Sequence, residues 1–386
     1  MLVTKVEAFP LRLAYEEPIA DARSVITHKA TVLIRIETES GGFGWGEAAA
    51  FGDVAQEVAC VLNSRLSGLV LGTSAHPRDL RKLLKRATAH YGQRGLVVSA
   101  ISGLEIAAWD ALARTADLPL CQVLGAVPRP VGIYAGAGYY SPGATRAEDV
   151  RNLKNSIGAS TLDCRGIKIK VGRHGIDDDL ERVRVAREAL GASAILIADA
   201  NNAYTFHEAV KFAKQAEPYG LLFLEEPIEF GRPADSADLR RASPIDIAGY
   251  ELEMTYAGFL PYIEQRAVDV LQPDCIWSGG ILECLDIAAA AERVGIAVSP
   301  HNFASVVSTA ANYHFVCATG GELLEVDGTR SPLLDIALEL DGRSMLNGFL
   351  TIRDEPGLGV TPDIDHLREL VRTSSASLVS ISLQGD

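Results

Sequence analysis

The sequence predicts a (β/α)₈ TIM-type barrel preceded by an N-terminal α+β capping domain, and three observations point there. From Val131 onward, apolar runs begin near residues 131, 166, 195, 221, 245, 268, 296 and 322, separated by segments of helical spacing such as DDLERVRVAREAL and ILECLDIAAAAERVG. Eight strand–helix units close a barrel. Three of these runs, ILIADANNAY, LLFLEEP and IDIAGYE, end on carboxylates (Asp199, Glu225 and Glu251) at successive intervals of 26 residues. Ahead of them, KVEAFPLRL, ATVLIRIETES and FGWGEAA alternate apolar and polar positions, a pattern of strands rather than the start of an α/β repeat.

Taken in order, residues 1–128 form the predicted capping and lid domain. Its first strands enclose EEPIADARSVITHK (16–29), polar and loop-like, and a turn at Gly41–Gly42 closes a hairpin. The glycines of GGFGWG lack the helical pattern that a dinucleotide fingerprint requires after them. Residues 53–69 and 78–88 carry helical periodicity. The run Leu96–Ala113 reads as a long helix whose Ala100, Ser102, Gly103, Ala107 and Ala108 permit close packing. LPLCQVLGAVPRP (118–130) reads as the linker, residues 129–333 as the barrel, and 334–386 as a segment returning to the capping domain.

Composition narrows the partners. The 386 residues hold 36 basic and 50 acidic side chains, a net charge of −14, and no basic cluster, so nucleic acid and anionic membrane are not expected. No apolar run reaches the ~18 residues that span a bilayer, and MLVTKVEAFP lacks a signal-peptide layout. Six scattered cysteines without a CxxC pair suit reduced thiols, hence a cytoplasmic protein. A small-molecule carboxylic acid is the expected substrate, and a homo-oligomer the expected assembly.

The chemistry sits at strand ends. Residues at the C-terminal ends of barrel strands share one rim. Asp199, Glu225 and Glu251 would repel one another there without a hard divalent cation, and all-oxygen ligation favours Mg²⁺ over zinc. In GIKIK, Lys168 and Lys170 are two apart on a strand and face the same way. Their mutual repulsion is expected to push one toward a usable general base. VDVLQPD ends on Asp274 and IAVSPH on His301, at equivalent points of neighbouring strands, so an Asp–His hydrogen bond is expected. ELLEVD brings Glu325 to the rim, and Asn201 follows Asp199 by two residues, facing metal or substrate. Between the lysines and the histidine, a cation-bound carboxylate would leave its α-carbon flanked by two bases, a site for α-proton abstraction.

These motifs resemble the enolase superfamily, in its mandelate racemase-like subgroup, over nearly the whole chain. The matches are the KxK at Lys168–Lys170, DANNAY at Asp199, LEEP at Glu225, QPD at Asp274 with two glycines following, SPH at His301, LLE at Glu325 and the tail PGLGV. The resemblance implies Lys170 as one base and His301 with Asp274 as the other. It implies that Lys168 tunes Lys170 or holds the carboxylate, and that Glu325 helps neutralise an enediolate; a Lys or His base with Mg²⁺ is a general property of that superfamily. The family's usual Gly-Glu at the third ligand is here Gly249-Tyr250-Glu251, which keeps Glu251 as the ligand with Glu226 and Glu253 as runners-up.

Three outcomes share this set: racemisation or epimerisation, dehydration of a sugar acid, and lactone cycloisomerisation. The polar lid, with Asp21, Arg23, Ser24, Thr27, His28 and Lys29, favours a polyhydroxylated acid and hence dehydration, with Arg23, His28 and Tyr139 as candidate substrate contacts. A metal-dependent barrel hydrolase is the reading from another class, but it would normally add histidine ligands for zinc, and only His301 ends a strand.

Overall fold

The structure, a computed structural model, describes residues 1–158, 163–329, 331–336, 345–352, 355–373 and 378–382. Its N-terminal sheet is built from β1 (Val3–Ala20), β2 (Val25–Thr38) and β3 (Phe43–Ala49), with β14 (Val379–Ser382) added antiparallel to the free edge of β1. The segment expected as a loop at 16–29 is mostly strand. β1 and β2 run on as a long hairpin to Ala20 and Val25, with a register shift between Ala14 and Ile19, and only residues 21–24 turn. Cross-strand hydrogen bonds sustain the extended form even where polar side chains hide the alternation.

The long helix is observed at Leu96–Thr115 and packs on β3 by way of the small residues. A Cβ placed on Gly46 would fall 2.1 Å from Gly103 O, and one on Gly44 would fall 2.1 Å from Ala107 O. The glycines of GGFGWG therefore serve sheet-on-helix contact. This helix is long and apolar enough to cross a membrane, where no apolar run of that reach was expected, and 83% of its apolar window is buried inside the protein.

The barrel strands are β4 (Val131–Gly136), β5 (Gly166–Lys170), β6 (Ile195–Asp199), β7 (Leu224–Glu225), β8 (Ile247–Gly249), β9 (Val270–Leu271), β10 (Ala297–Val298) and β11 (Leu323–Asp327). All are parallel in chain order, and β11 pairs with β4. Between β10 and β11 the contact is made by Ser299 Oγ, which donates to Leu323 O at 3.4 Å. Among the described residues seven helices connect the eight strands, and the eighth strand–helix unit departs from expectation. Among the described residues, β11 is followed by a short 3₁₀ turn at Pro332–Asp335. After it come the hairpin strands β12 (Met345–Leu346) and β13 (Phe349–Leu350), the latter antiparallel to β4. The helix Ile364–Thr373 then packs against β1.

Two buried carboxylates dock the N-terminal unit onto the barrel. Glu105, on the long helix, accepts from Ile281 N (2.8 Å) and Leu282 N (3.1 Å) at the start of the helix Ile281–Glu292. Glu47, on β3, accepts from Ser305 N (3.1 Å) and Ser308 N (2.8 Å) at the start of the helix Val306–Thr319. Helix N-termini carry unpaired N–H groups and a positive dipole end, which suits buried anions. Burial pushes Glu105 up to about 7, while those N–H donors pull it down. Both capped helices follow the strands that lead to Asp274 and His301, so domain docking and active-site placement share the same supports.

Candidate active site

The rim assembles from sheet register. Lys170 pairs with Asp199 across β5 and β6, and Asp199 with Glu225 across β6 and β7, so the three lie in one row. Glu251 follows Gly249 at the end of β8. Tyr250 between them turns outward, its hydroxyl 2.8 Å from Ser236 Oγ and its ring 5.0 Å from that of Tyr262. The bulky residue thus packs into the barrel wall and leaves Glu251 to the mouth. Alternation on β5 sends Lys168 and Lys170 inward, while Ile169 joins the outer core.

Lys168 Nζ lies 2.6 Å from Glu225 Oε1, 2.8 Å from Glu325 Oε1 and 3.8 Å from Asp199 Oδ2. Lys170 Nζ lies 2.5 Å from Asp199 Oδ2. Opposite them, His301 Nδ1 is 3.0 Å from Asp274 Oδ2 and its Nε2 is 3.2 Å from Glu251 Oε2. Asp274 is itself fixed, its Oδ1 accepting from Asn312 Nδ2 (3.0 Å) and Ile276 N (3.2 Å). Lys168, Lys170, Asp199, Glu225, Glu251, Asp274, His301 and Glu325 are therefore brought together.

The expectation that lysine–lysine repulsion would free one base is corrected. Burial, the largest influence, and Lys168 lower Lys170, but Asp199, Glu251 and Glu225 together hold it above the ordinary lysine value. Burial likewise opposes charge on Lys168, and Glu225, Glu325 and Asp199 hold it well above that value. Burial opposes charge on His301 too, yet Glu251 and the Asp274 hydrogen bond hold it up to about 9. Among the described residues, no three His, Cys, Asp or Glu side chains are drawn tightly enough together to ligate one ion. The carboxylates are instead paired with the two lysines and the histidine.

The donor set nevertheless fits a hard cation. Burial pushes Glu225 up to about 8; Lys168 pulls it down, and Asp199, Glu325 and Glu251 add repulsion. Glu226 is held well above the usual carboxylate range by burial and by Glu251, Asp199 and Glu225. Crowded buried carboxylates of this kind are relieved by a divalent ion. Asn201 Oδ1, Asn202 Oδ1 and Gln272 Oε1 are buried beside them without a hydrogen-bond partner. Asn201 N donates to Asp199 Oδ1 at 2.9 Å, and Gln272 Nε2 to Glu225 Oε2 at 2.8 Å, so these unpaired oxygens sit among the expected ligands. Of the runners-up, Glu226 accepts from Glu251 N (3.1 Å) and Asn202 Nδ2 (2.5 Å), bracing the rim, whereas Glu253 faces Arg94 at 2.6 Å.

The lid residues divide. His28 lines a cavity of about 390 Å³ between the hairpin, Phe51, Glu251 and Phe303. Tyr139 stacks on Phe303 with ring centroids 5.8 Å apart, and Lys170 Nζ lies 5.0 Å from the Tyr139 ring. Arg23 is exposed at the hairpin turn and is absent from the cavity lining, so the structure does not bring it to the site. Sequence reasoning missed Gln272 in the QPD motif, and it missed the buried pair of Lys29 and Asp327, 2.8 Å apart. Nothing local to either residue marks that contact.

Comparison with known proteins agrees with this architecture. Residues 4–125 match the Mandelate racemase / muconate lactonizing enzyme, N-terminal domain, and residues 147–366 match the Enolase C-terminal domain-like family. The chain is 32% identical to the arabinonate dehydratase of Saccharolobus solfataricus, over 91% of this chain and 94% of that protein. It is 31% identical to the D-galactarolactone cycloisomerase of Agrobacterium fabrum, over 96% and 98%. The L-talarate dehydratase of Polaromonas sp. JS666, solved with magnesium and L-glucarate, superposes with a TM-score of 0.82 at 25% identity, covering 99% of each chain. The chain belongs to the enolase superfamily, in its mandelate racemase / muconate lactonizing enzyme branch.

Proposed function

We propose that this enzyme abstracts the proton α to the carboxylate of a sugar acid, with Mg²⁺ as cofactor, and completes a dehydration. The observation that carries the reading is the pairing of a Lys170 base with an Asp274-supported His301 across a rim of three carboxylates. Asp199, Glu225 and Glu251 would hold the cation. When bound, Mg²⁺ supplies Lewis-acid polarisation of the substrate carboxylate. With Asp199 turned to the cation, Lys170 would lose the partner that holds its proton and would be free to take the one on C2. Lys168 would donate to the carboxylate oxygens as charge builds on the enediolate, with Glu325, 2.8 Å away, orienting its ammonium. His301, its Nδ1 hydrogen-bonded to Asp274, would give a proton to the departing C3 hydroxyl, so that water leaves. The enol left behind tautomerises to a 2-keto-3-deoxy acid.

The arabinonate dehydratase relative supports dehydration, and the galactarolactone cycloisomerase relative favours lactone opening as the second reading. Product analysis by NMR separates them. Incubation of sugar acids and their lactones with the Mg²⁺-loaded enzyme should yield a 2-keto-3-deoxy acid from an open-chain acid. Turnover confined to lactones, or an epimer as the only product, would overturn the dehydratase reading.

A further inference from the structure

Lys29 leaves β2 and enters the mouth of the barrel. It is 3% exposed, its Nζ lies 2.8 Å from Asp327 Oδ2, and it sits 2.7 Å from the centroid of the Phe303 ring. Asp327 follows Glu325 by two residues on β11, and Phe303 follows His301 by two. The anion is anchored from behind, with Asp327 Oδ1 accepting from Thr329 N (2.8 Å) and Thr329 Oγ1 (2.6 Å). Tyr15 on β1 meets the same Thr329 Oγ1 at 3.1 Å. Through Tyr139, stacked on Phe303, a continuous wall runs from Lys170 to Lys29. Lys29 also lines the cavity that reaches Glu251, so it faces whatever substrate extends from the rim toward the lid.

Charge decides what that substrate can present. An ammonium offers three N–H donors, and Asp327 takes one. A donor therefore remains for a ligand, but the charge of Lys29 is already balanced. The cavity lining includes this one lysine and no arginine, and it includes the carboxylates Asp21, Asp53 and Glu251. A distal hydroxyl can accept from Lys29 without disturbing the ion pair. A distal carboxylate would compete with Asp327 for a single cation and stand unpaired beside Asp327 and Glu325.

We infer that Lys29 is a specificity-determining residue that donates to a hydroxyl at the far end of the substrate, making the substrate a monocarboxylic polyhydroxy acid and not a diacid. This rests on the sugar-acid reading above. The test is kcat/KM of the Mg²⁺-loaded enzyme toward five- and six-carbon aldonates and toward the aldarates of matching configuration. Wild type should favour its best aldonate by about tenfold or more. Lys29→Met should raise KM for that aldonate by about tenfold or more, with a smaller change in kcat. Asp327→Asn removes the balancing charge and should shift the aldonate-to-aldarate ratio toward aldarates, a change that a purely structural role would not produce. A wild type that prefers diacids overturns the inference and leaves α-proton abstraction intact, as does an Asp327→Asn ratio equal to wild type. Absence of turnover and of α-proton exchange with every acid would instead remove the sugar-acid reading, and this inference with it.

Discussion

Replacing Asp274 by Asn tests the histidine half of the site, and its effect can be worked from four contacts. Asp274 Oδ1 accepts from Ile276 N at 3.2 Å and Asn312 Nδ2 at 3.0 Å, while Oδ2 faces His301 Nδ1 at 3.0 Å. The new amide must turn its NH₂ to one side. Facing Ile276 and Asn312 would set donor against donor at two buried contacts, each costing about 1–3 kcal/mol. The amide oxygen therefore stays on that side and the NH₂ meets His301 Nδ1, which must now accept. A neutral imidazole then carries its proton on Nε2, the nitrogen that faces Glu251 and the site at 3.2 Å. His301 can no longer accept a proton at Nε2, and it loses the carboxylate that helps hold it protonated. The His301-dependent step should fall by about 10²–10⁴-fold, equivalent to roughly 2.7–5.5 kcal/mol of barrier. Lys170 and the three rim carboxylates keep their side chains, so α-proton exchange on the lysine face should persist. The assay follows deuterium incorporation at C2 for both epimers, alongside product formation. A folded, metal-loaded Asp274→Asn enzyme with wild-type exchange on the histidine face and wild-type turnover would refute the reasoning.

Other substitutions probe different supports. Glu225→Gln removes a charge from the expected ligand set and should weaken Mg²⁺ binding in calorimetric titration; unchanged affinity would exclude Glu225 as a ligand. His28→Ala should raise KM because His28 lines the cavity, whereas Arg23→Ala should leave it unchanged, and the reverse ranking would contradict the observed lid. Gly46→Ala forces a Cβ to within 2.1 Å of Gly103 O, an overpacking cost of about 1–3 kcal/mol. Tm should fall by roughly 1 °C per kcal/mol while kinetics at low temperature hold, and an unchanged Tm would show that the helix can retreat.

Much of this site was legible because barrel geometry turns sequence position into spatial position. A carboxylate, lysine or histidine that closes an apolar run must reach the rim, and the register row Lys170–Asp199–Glu225 follows from that. The parts that escaped depend on contacts that no local pattern encodes. Lys29 and Asp327 are 298 positions apart, and one reads as an ordinary lid lysine until the hairpin folds over the barrel. The lid's strands went unseen because exposed polar residues fill positions that backbone pairing alone holds extended. The direction of the lysine shifts was misjudged because counting only like charges omits the three carboxylates facing Lys168. Among the described residues no eighth helix follows β11, for a similar cause: β12 and β13 bring the chain back onto β4, a tertiary pairing with no periodic signature.

The central claim is that the rim removes a proton α to a carboxylate and needs a cation to do so. Incubating the enzyme with a panel of sugar acids in D₂O, with Mg²⁺ and then after exhaustive chelation, tests both halves by mass and NMR signal at C2. The account predicts deuterium at C2, or its loss through elimination, for at least one acid with Mg²⁺, abolished by chelation and restored when Mg²⁺ is returned. Equal exchange after chelation, or hydrolysis of a substrate with its C2 proton retained, would contradict it.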